Sequence, residues 1–375
     1  MNINFNDGPF FEILETADPE KVYQVEFINK DNNRTETTQV IRSNMWARAD
    51  IRYFVNWKIR VTGIDNPYFY EHDFDCTGKR VLICIESKAL GDMMAWTDYA
   101  EQFRVAHNCH VICTTYLNDL FRDQYPEIEF VEPGVGIFDL YALYRVGIFW
   151  TGDTFDHKTI STDPFKLPLQ KLASEILGLQ FKESRPRLPL DPNIKKKKQV
   201  SIAIHGSAQC KYWNNPTGWQ EVVDYLNEEG YQVVVVSKEE NTPVWLAPLK
   251  GVIKHPPGEL IDVIRVMQES EFFIGLTSGL SWLAWAVGLP TVLVSGFTDT
   301  YVEPLDNVYR VIDKNVCHGC WERHYFNPGD WYFCPEHKGT NRAFECTKSI
   351  KATEVIRTIQ FMKTRKLAEQ PALSE

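Results

Sequence analysis

A basic surplus, a long clean apolar run and an internal repeat are all missing from this chain. Lysine and arginine number 40 against 50 aspartates and glutamates, giving a formal net charge of −10. That balance, with a pI near 5.5, argues against nucleic-acid binding, which leaves a basic footprint. The single basic run, Lys195–Lys198, lies in S-R-P-R-L-P-L-D-P-N-I-K-K-K-K and reads as a solvated interdomain linker. The greasiest stretch, Leu280–Phe297, is interrupted by serines, Gly288 and Pro290, so no membrane span is expected. The opening residues M-N-I-N-F-N-D-G-P-F-F-E-I show neither a basic start nor an apolar signal core. Cysteines such as Cys84, Cys113 and Cys210 fall in expected core strands, which suits a cytoplasmic protein and not an exported disulfide protein. No segment repeats at a solenoid period.

What is present suits a soluble protein of two or three domains: 375 residues, 44% hydrophobic and 24% charged. Residues 1–75 alternate or are rich in β-branched and aromatic residues at Val22–Asn29, Thr37–Ile41, Ile51–Trp57 and Lys58–Thr62, which predicts a small all-β module. From 76 to 190 the pattern is strand–helix–strand. Arg80–Glu86, His110–Thr115 and Ile128–Val131 read as strands, Gly91–Ala106 and Phe165–Leu177 as helices. The pattern returns over 191–304. Val200–His205, Tyr231–Val236, Phe272–Leu276 and Thr291–Ser295 read as strands, with helices at Trp219–Glu228, Leu260–Glu269 and after Gly279. The fold class expected is α/β, with two Rossmann-like domains facing a cleft. Residues 305–349 hold four cysteines, and 350–375 form a helix, Ile350–Arg365, with a frayed tail.

Three constellations carry chemistry. Ala89-Leu-Gly-Asp92 follows the first α/β strand. Its glycine permits a tight turn, and a carboxylate at Asp92 can accept a proton, an effect of roughly a hundred- to ten-thousand-fold in rate. Aspartate is also a common helix N-cap. In His205-Gly-Ser-Ala-Gln-Cys-Lys-Tyr-Trp213, the small residues Gly206 and Ser207 follow a strand and Lys211 lies just beyond. A lysine ammonium suits phosphate oxygens, although a solvent-facing lysine is equally compatible. His205 reads as a packed strand-end residue, and Trp213 and Trp219 as core before nucleotide stacking. Thr277, Ser278 and Gly279 open a helix after a buried strand, where hydroxyls and backbone N–H groups can bind a diphosphate.

Cys317 and Cys320 form a C-x2-C pair, followed by Cys334 and Cys346. Four thiolates at this spacing suit a closed tetrahedral structural site, with zinc the default and iron in an S4 set the alternative. Two disulfides would be the competing use. His318, His324 and His337 are further possible ligands.

The three motifs, A-L-G-D, G-S-A-Q-C-K-Y-W and T-S-G-L-S-W-L-A-W-A-V-G-L-P, resemble those of bacterial heptosyltransferases of the two-Rossmann GT-B class, over about residues 80–300. Thr277 stands where that pattern usually has aspartate, and Trp282 where it has histidine. With the β module and the four-cysteine finger added, the layout resembles the autotransporter heptosyltransferases, which modify serines of autotransporter adhesins in the bacterial cytosol. The resemblance implies that Asp92 is the catalytic base and that Lys211, Thr277, Ser278, Gly279, Gly206 and Ser207 bind the nucleotide sugar. It places the acceptor side at 76–190 and the donor side at 191–304. It further implies ADP-heptose as donor, inverting transfer without a catalytic metal, iron on Cys317, Cys320, Cys334 and Cys346, and a large ring-like homo-oligomer. Other nucleotide-sugar transfer, including the lipopolysaccharide type, and a non-catalytic metal-finger assembly protein are the alternatives.

Overall fold

The computed structural model describes residues 1–14, 19–152, 154–239, 246–327 and 329–369. The chain divides into two compact units. One comprises Met1–Lys88 with Ala95–Ser184, the other Ala89–Met94 with Arg185–Glu375.

The first unit is organised by Arg80–Ile85, a strand whose apolar run is nearly continuous because helices and loops cover both sheet faces. Parallel strands His110–Thr114 and Ala142–Val146 flank it. The full order is Glu129–Phe130, His110–Thr114, Arg80–Ile85, Ala142–Val146, Asn2–Asn6, Phe10–Glu12, Trp46–Arg48. Asn2–Asn6 adds in parallel to Ala142–Val146, and the last two strands are antiparallel. Residues 1–75 therefore divide between two sheets. Only Arg34–Arg42, Val22–Asn29, Trp57–Gly63 and Phe69–Asp73 form a separate antiparallel sheet. Its inward residues alternate, with Val25 facing Val61 and Phe27 facing Ile59 across the register.

Two local expectations need correction, and one strand was not expected. The expected strand Ile51–Trp57 does not form, since residues 51–56 are not strand and Trp57 opens Trp57–Gly63; the Arg52 and Phe54 amides donate to the carbonyls of Lys158 at 2.6 Å and Ile176 at 2.8 Å. The Phe165–Leu177 helix is split into a 3-10 turn, Pro164–Lys166, and a helix, Leu169–Ile176, because Pro168 lacks an N–H and takes an extended conformation between them. The strand Ala142–Val146, central to the sheet, is too short and too interrupted by Arg145 to stand out as a pattern.

The second unit is a six-stranded parallel sheet in the order Val252–Lys254, Gln232–Val235, Gln199–Ile202, Phe272–Leu276, Thr291–Val294, Val308–Val311. The two edge strands carry too few apolar residues to be read from sequence. Val308–Val311 also lies inside 305–349, so that segment begins as sheet and not as finger. The C-terminal helix runs Ala352–Glu369 and buries Val355, Ile359 and Met362 in the same core as Trp213 and Trp219. Residues 370–375, the end of the expected tail, lie outside the described residues.

Gly178 closes the Leu169–Ile176 helix at a φ of +66°, and a Cβ there would stand 2.0 Å from the Phe54 ring. Gly178→Ala should destabilise the first unit by about 1–3 kcal/mol, read as a lower urea midpoint.

Candidate functional site

The site is built where the central strands of the second sheet end. Phe272–Leu276 is buried throughout, and the chain leaves it through Thr277. Ser278 is extended, at φ −151° and ψ 168°, and precedes the Gly279–Ala286 helix without capping it. Its Oγ is buried and has no hydrogen-bond partner in the structure. The first turn of a helix presents N–H groups without intrahelical acceptors, so anions are favoured there. Ser281 does not face this opening, because its Oγ donates to the Leu276 carbonyl at 2.5 Å.

The Ala89-Leu-Gly-Asp92 turn packs directly on this helix start. A Cβ on Gly279 would stand 2.7 Å from Leu90 Cβ and 3.0 Å from the Gly91 nitrogen, and one on Gly91 would stand 3.0 Å from Trp282 Cδ1. The two glycines are needed for close approach. Trp282 and Trp285 are buried and contact each other edge to face at 5.7 Å. Asp92 lies in the first turn of the Leu90–His107 helix.

Lys211 comes from the loop after Gln199–Ile202, at the end of the 3-10 turn Gln209–Lys211. Gly206 lets the loop fold back; a Cβ there would stand 3.1 Å from Lys211 Cβ. Ser207 on the same loop is exposed. The Lys211 ammonium lies 5.1 Å from the centre of the Phe326 ring and 5.7 Å from that of Phe297, within cation–π range. Burial pulls its pKa below the ordinary lysine value of 10.5, while Cys210, Asp92 and Glu303 act in the opposite direction. Asp92, Lys211 and the Thr277–Gly279 turn thus belong to one unit, and the first two are near enough to interact electrostatically.

His205 packs edge to face on Tyr212 at 6.2 Å, with Nδ1 3.8 Å from Glu239. Trp213 and Trp219 meet at 5.2 Å in the core, and Trp213 Nε1 donates to the Ile350 carbonyl at 3.0 Å; neither is placed for base stacking. Sequence reasoning missed Thr298, Glu303 and Arg310. Thr277 Oγ1 donates to the Glu303 carboxylate, which pairs with Arg310. One acidic residue after a strand carries no distinctive pattern, so nothing in the sequence pointed to it.

The four finger cysteines are all thiols. Cys320, Cys334 and Cys346 are buried, and Cys317 is partly exposed. A hydrogen bond between Cys317 and Cys346 raises the Cys346 pKa far above the ordinary thiol value and lowers that of Cys317. Burial pushes Cys320 up to about 12, with Cys317 and Cys334 adding to the effect. Three buried thiols beside a Cys317 whose thiolate is favoured fit a cation, which would hold all four as thiolates. Ligating atoms of His337 and Glu345 lie within 4.8 Å of each other and of Cys317 Sγ. His318 Nδ1 instead faces the Val316 carbonyl at 2.9 Å, and His324 Nε2 stands 3.6 Å from Glu336.

A glycosyltransferase family 9 (heptosyltransferase) model matches residues 159–324. The autotransporter heptosyltransferase BAHTCr of Citrobacter rodentium is 35% identical, covering 94% of this chain and 86% of that protein. BimC of Burkholderia thailandensis, described as an inactive autotransporter heptosyltransferase, is 34% identical, covering 82% and 74%. The iron-containing dodecameric glycosyltransferase TibC of enterotoxigenic E. coli has a crystal structure with a TM-score of 0.88 and 32% identity, covering 97% of this chain and 96% of that one. A second TibC structure, in complex with ADP-D-β-D-heptose, gives a TM-score of 0.86 at 31% identity, covering 97% and 95%.

Gly279→Ala should force the Leu90–Asp92 turn away from the helix start. The expected result is a folded protein in which any affinity of the helix start for ADP, measured by calorimetry, falls at least several-fold. Were Lys211 to hold a diphosphate, its ammonium would have to stay protonated, and its lowered pKa would make ADP binding weaken on the alkaline side at a pH below that of an ordinary lysine.

Proposed function

We propose, on the premise that this chain belongs to the autotransporter heptosyltransferases of glycosyltransferase family 9, that it transfers manno-heptose from ADP-heptose to serine hydroxyls of an autotransporter adhesin. The observation that carries the reading is the convergence of Asp92, Lys211 and the Thr277–Gly279 turn within one unit. It is supported by the TibC complex with ADP-D-β-D-heptose.

In this mechanism the acceptor serine oxygen attacks the anomeric carbon from the face opposite the diphosphate. Asp92 takes the serine proton, a new carbon–oxygen bond forms, and the bond to the β-phosphate oxygen breaks. ADP leaves with that electron pair, and the anomeric configuration inverts. Lys211 neutralises the charge growing on the leaving diphosphate. Its aromatic surroundings exclude water, which strengthens this effect. The helix start adds roughly 0.3–1 kcal/mol, up to about 2 where partly buried. Ser278 Oγ, buried without a partner, is a ready donor to a phosphate oxygen. Gly206 lets the loop approach the ligand, and exposed Ser207 adds a further hydroxyl.

Cys317, Cys320, Cys334 and Cys346 would hold iron, the metal of TibC, with zinc as the alternative. A closed four-thiolate shell supplies rigidity to the fold. His337 and Glu345 are the competing ligands beside Cys317. Among the described residues no helix is long and apolar enough to cross a membrane. The reading places the chain in the bacterial cytoplasm, with its donor, as a ring-like homo-oligomer comparable to the TibC dodecamer.

A second reading, a non-catalytic member of the family, is favoured by one observation: a relative of similar identity is described as inactive. Intact-mass analysis of an adhesin passenger co-expressed with this chain separates the two. Addition of heptose residues is expected; an unmodified passenger with no donor turnover would establish the second reading. Offering a lipopolysaccharide acceptor in parallel distinguishes the glycolipid alternative.

Asp92→Asn should fold and bind ADP-heptose as the wild type does, yet lose roughly a hundred- to ten-thousand-fold in transfer rate. Transfer at wild-type speed would remove Asp92 from its role as base. Elemental analysis should find about one metal ion per chain, lost in Cys320→Ser; retention in that variant but loss in His337→Ala would point to the mixed ligand set.

A further inference from the structure

Glu303 is 5% exposed, Thr298 4% and Thr277 7%. The Glu303 carboxylate accepts from Thr277 Oγ1, and Thr298 Oγ1 lies 2.9 Å and 3.2 Å from its two oxygens. It pairs with Arg310, whose Nη1 reaches Thr298 Oγ1 at 3.2 Å and the Thr298 carbonyl at 3.4 Å. Thr298 Oγ1 is 3.1 Å from Thr277 Oγ1. The cluster therefore closes on the residue that immediately precedes Ser278, the donor whose Oγ has no protein partner.

A buried ion pair is by itself weak evidence of anything beyond packing. Two features tie this one to the site. It terminates on Thr277, the hinge between the Phe272–Leu276 strand and the Gly279–Ala286 helix. The Glu303 charge also acts on Lys211. We infer that Glu303 is a positioning residue for the transfer reaction: it anchors Thr277, so that Ser278 and the helix start are aimed at the diphosphate. The inference rests on the donor-site reading above.

The two actions can be measured separately with the full-length chain and ADP as probe. Thr277→Val removes the hydroxyl that Glu303 anchors and keeps the side-chain shape. ADP affinity should fall roughly three- to tenfold, the effect of one lost hydrogen bond. Glu303→Gln keeps an acceptor for Thr277 but removes the charge. The groups acting on Lys211 are Asp92, Glu303 and Cys210, together with the rings of Phe297 and Phe326. Without the Glu303 charge the ammonium is less favoured, so the alkaline limb of ADP binding should move to lower pH. A purely structural role would leave that limb in place.

Several results would overturn the inference. One is ADP affinity within twofold of wild type in a folded Thr277→Val. Another is an unmoved alkaline limb in Glu303→Gln. A third is an overall gain in ADP affinity in Glu303→Gln, as the bare Arg310 charge alone would give. Should Glu303→Gln not fold, Thr277→Val decides the question. Lys211→Ala distinguishes the two levels of the argument. If wild type fails to bind ADP, or Lys211→Ala binds it unchanged, the donor reading fails and takes this inference with it. If wild type binds ADP, Lys211→Ala loses it, and Thr277→Val and Glu303→Gln behave as wild type, only the role of Glu303 falls.

Discussion

One partly buried cation organises the candidate site of the second unit. A lysine on a surface loop would keep its ammonium in water, where it interacts weakly with any ligand. Lys211 instead projects toward Phe297 and Phe326, and burial makes its charged form costly. Cation–π attraction offsets part of that cost, and the carboxylates of Asp92 and Glu303 offset more. A diphosphate held here would meet a cation that water screens poorly.

Holding the cation there requires a rigid loop, and the finger provides it. Asn214 donates to the Gln209 carbonyl at 2.9 Å, the Tyr212 carbonyl at 3.0 Å and Thr347 Oγ1 at 2.8 Å. The Gln209 amide donates to the Trp331 carbonyl at 3.0 Å. Phe297 is edge to face with Trp321, Phe326 and Phe333. The Gly319 and Trp321 amides donate to the carbonyls of Gly296 and Phe297 at 2.9 Å and 3.1 Å. Cys210, one residue from Lys211, shares a hydrophobic cluster with Cys320 and Cys334. A metal on the finger cysteines would therefore act on the donor site by packing, with no need to touch the substrate.

The sequence made legible whatever depends on local pattern. The buried strands Arg80–Ile85 and Phe272–Leu276 are unbroken apolar runs, and the helix after Gly279 is announced by hydroxyls and glycine before an apolar stretch. Asp92, Lys211 and the Thr277–Gly279 turn could be named because each follows a strand end, where parallel sheets place their ligands. Partnership was not legible. Asn2–Asn6 looks like the start of a separate module, yet its register is with Ala142–Val146, some 140 residues away in sequence. Val308–Val311 carries a tyrosine and an arginine and becomes a strand only because Thr291–Val294 offers it an edge. Glu303 gains its meaning from Thr277 and Arg310, and no spacing rule links the three.

The two departures from the heptosyltransferase motif make sense in the same terms. Trp282, where the motif has histidine, lies against Gly91, so its bulk is spent on seating the turn that carries Asp92. Thr277, where the motif has aspartate, cannot supply a charge, but its hydroxyl is bonded to a carboxylate that arrives from position 303. The negative charge beside the helix start is thus retained in space while its source in the chain has moved. Arg310 pairs with that carboxylate and reaches Thr298 Oγ1 at 3.2 Å, so the relocated charge is buried with a partner. The anchored Thr277 immediately precedes Ser278, whose buried Oγ has no hydrogen-bond partner, so the carboxylate that replaces the motif's aspartate fixes the backbone from which that hydroxyl projects.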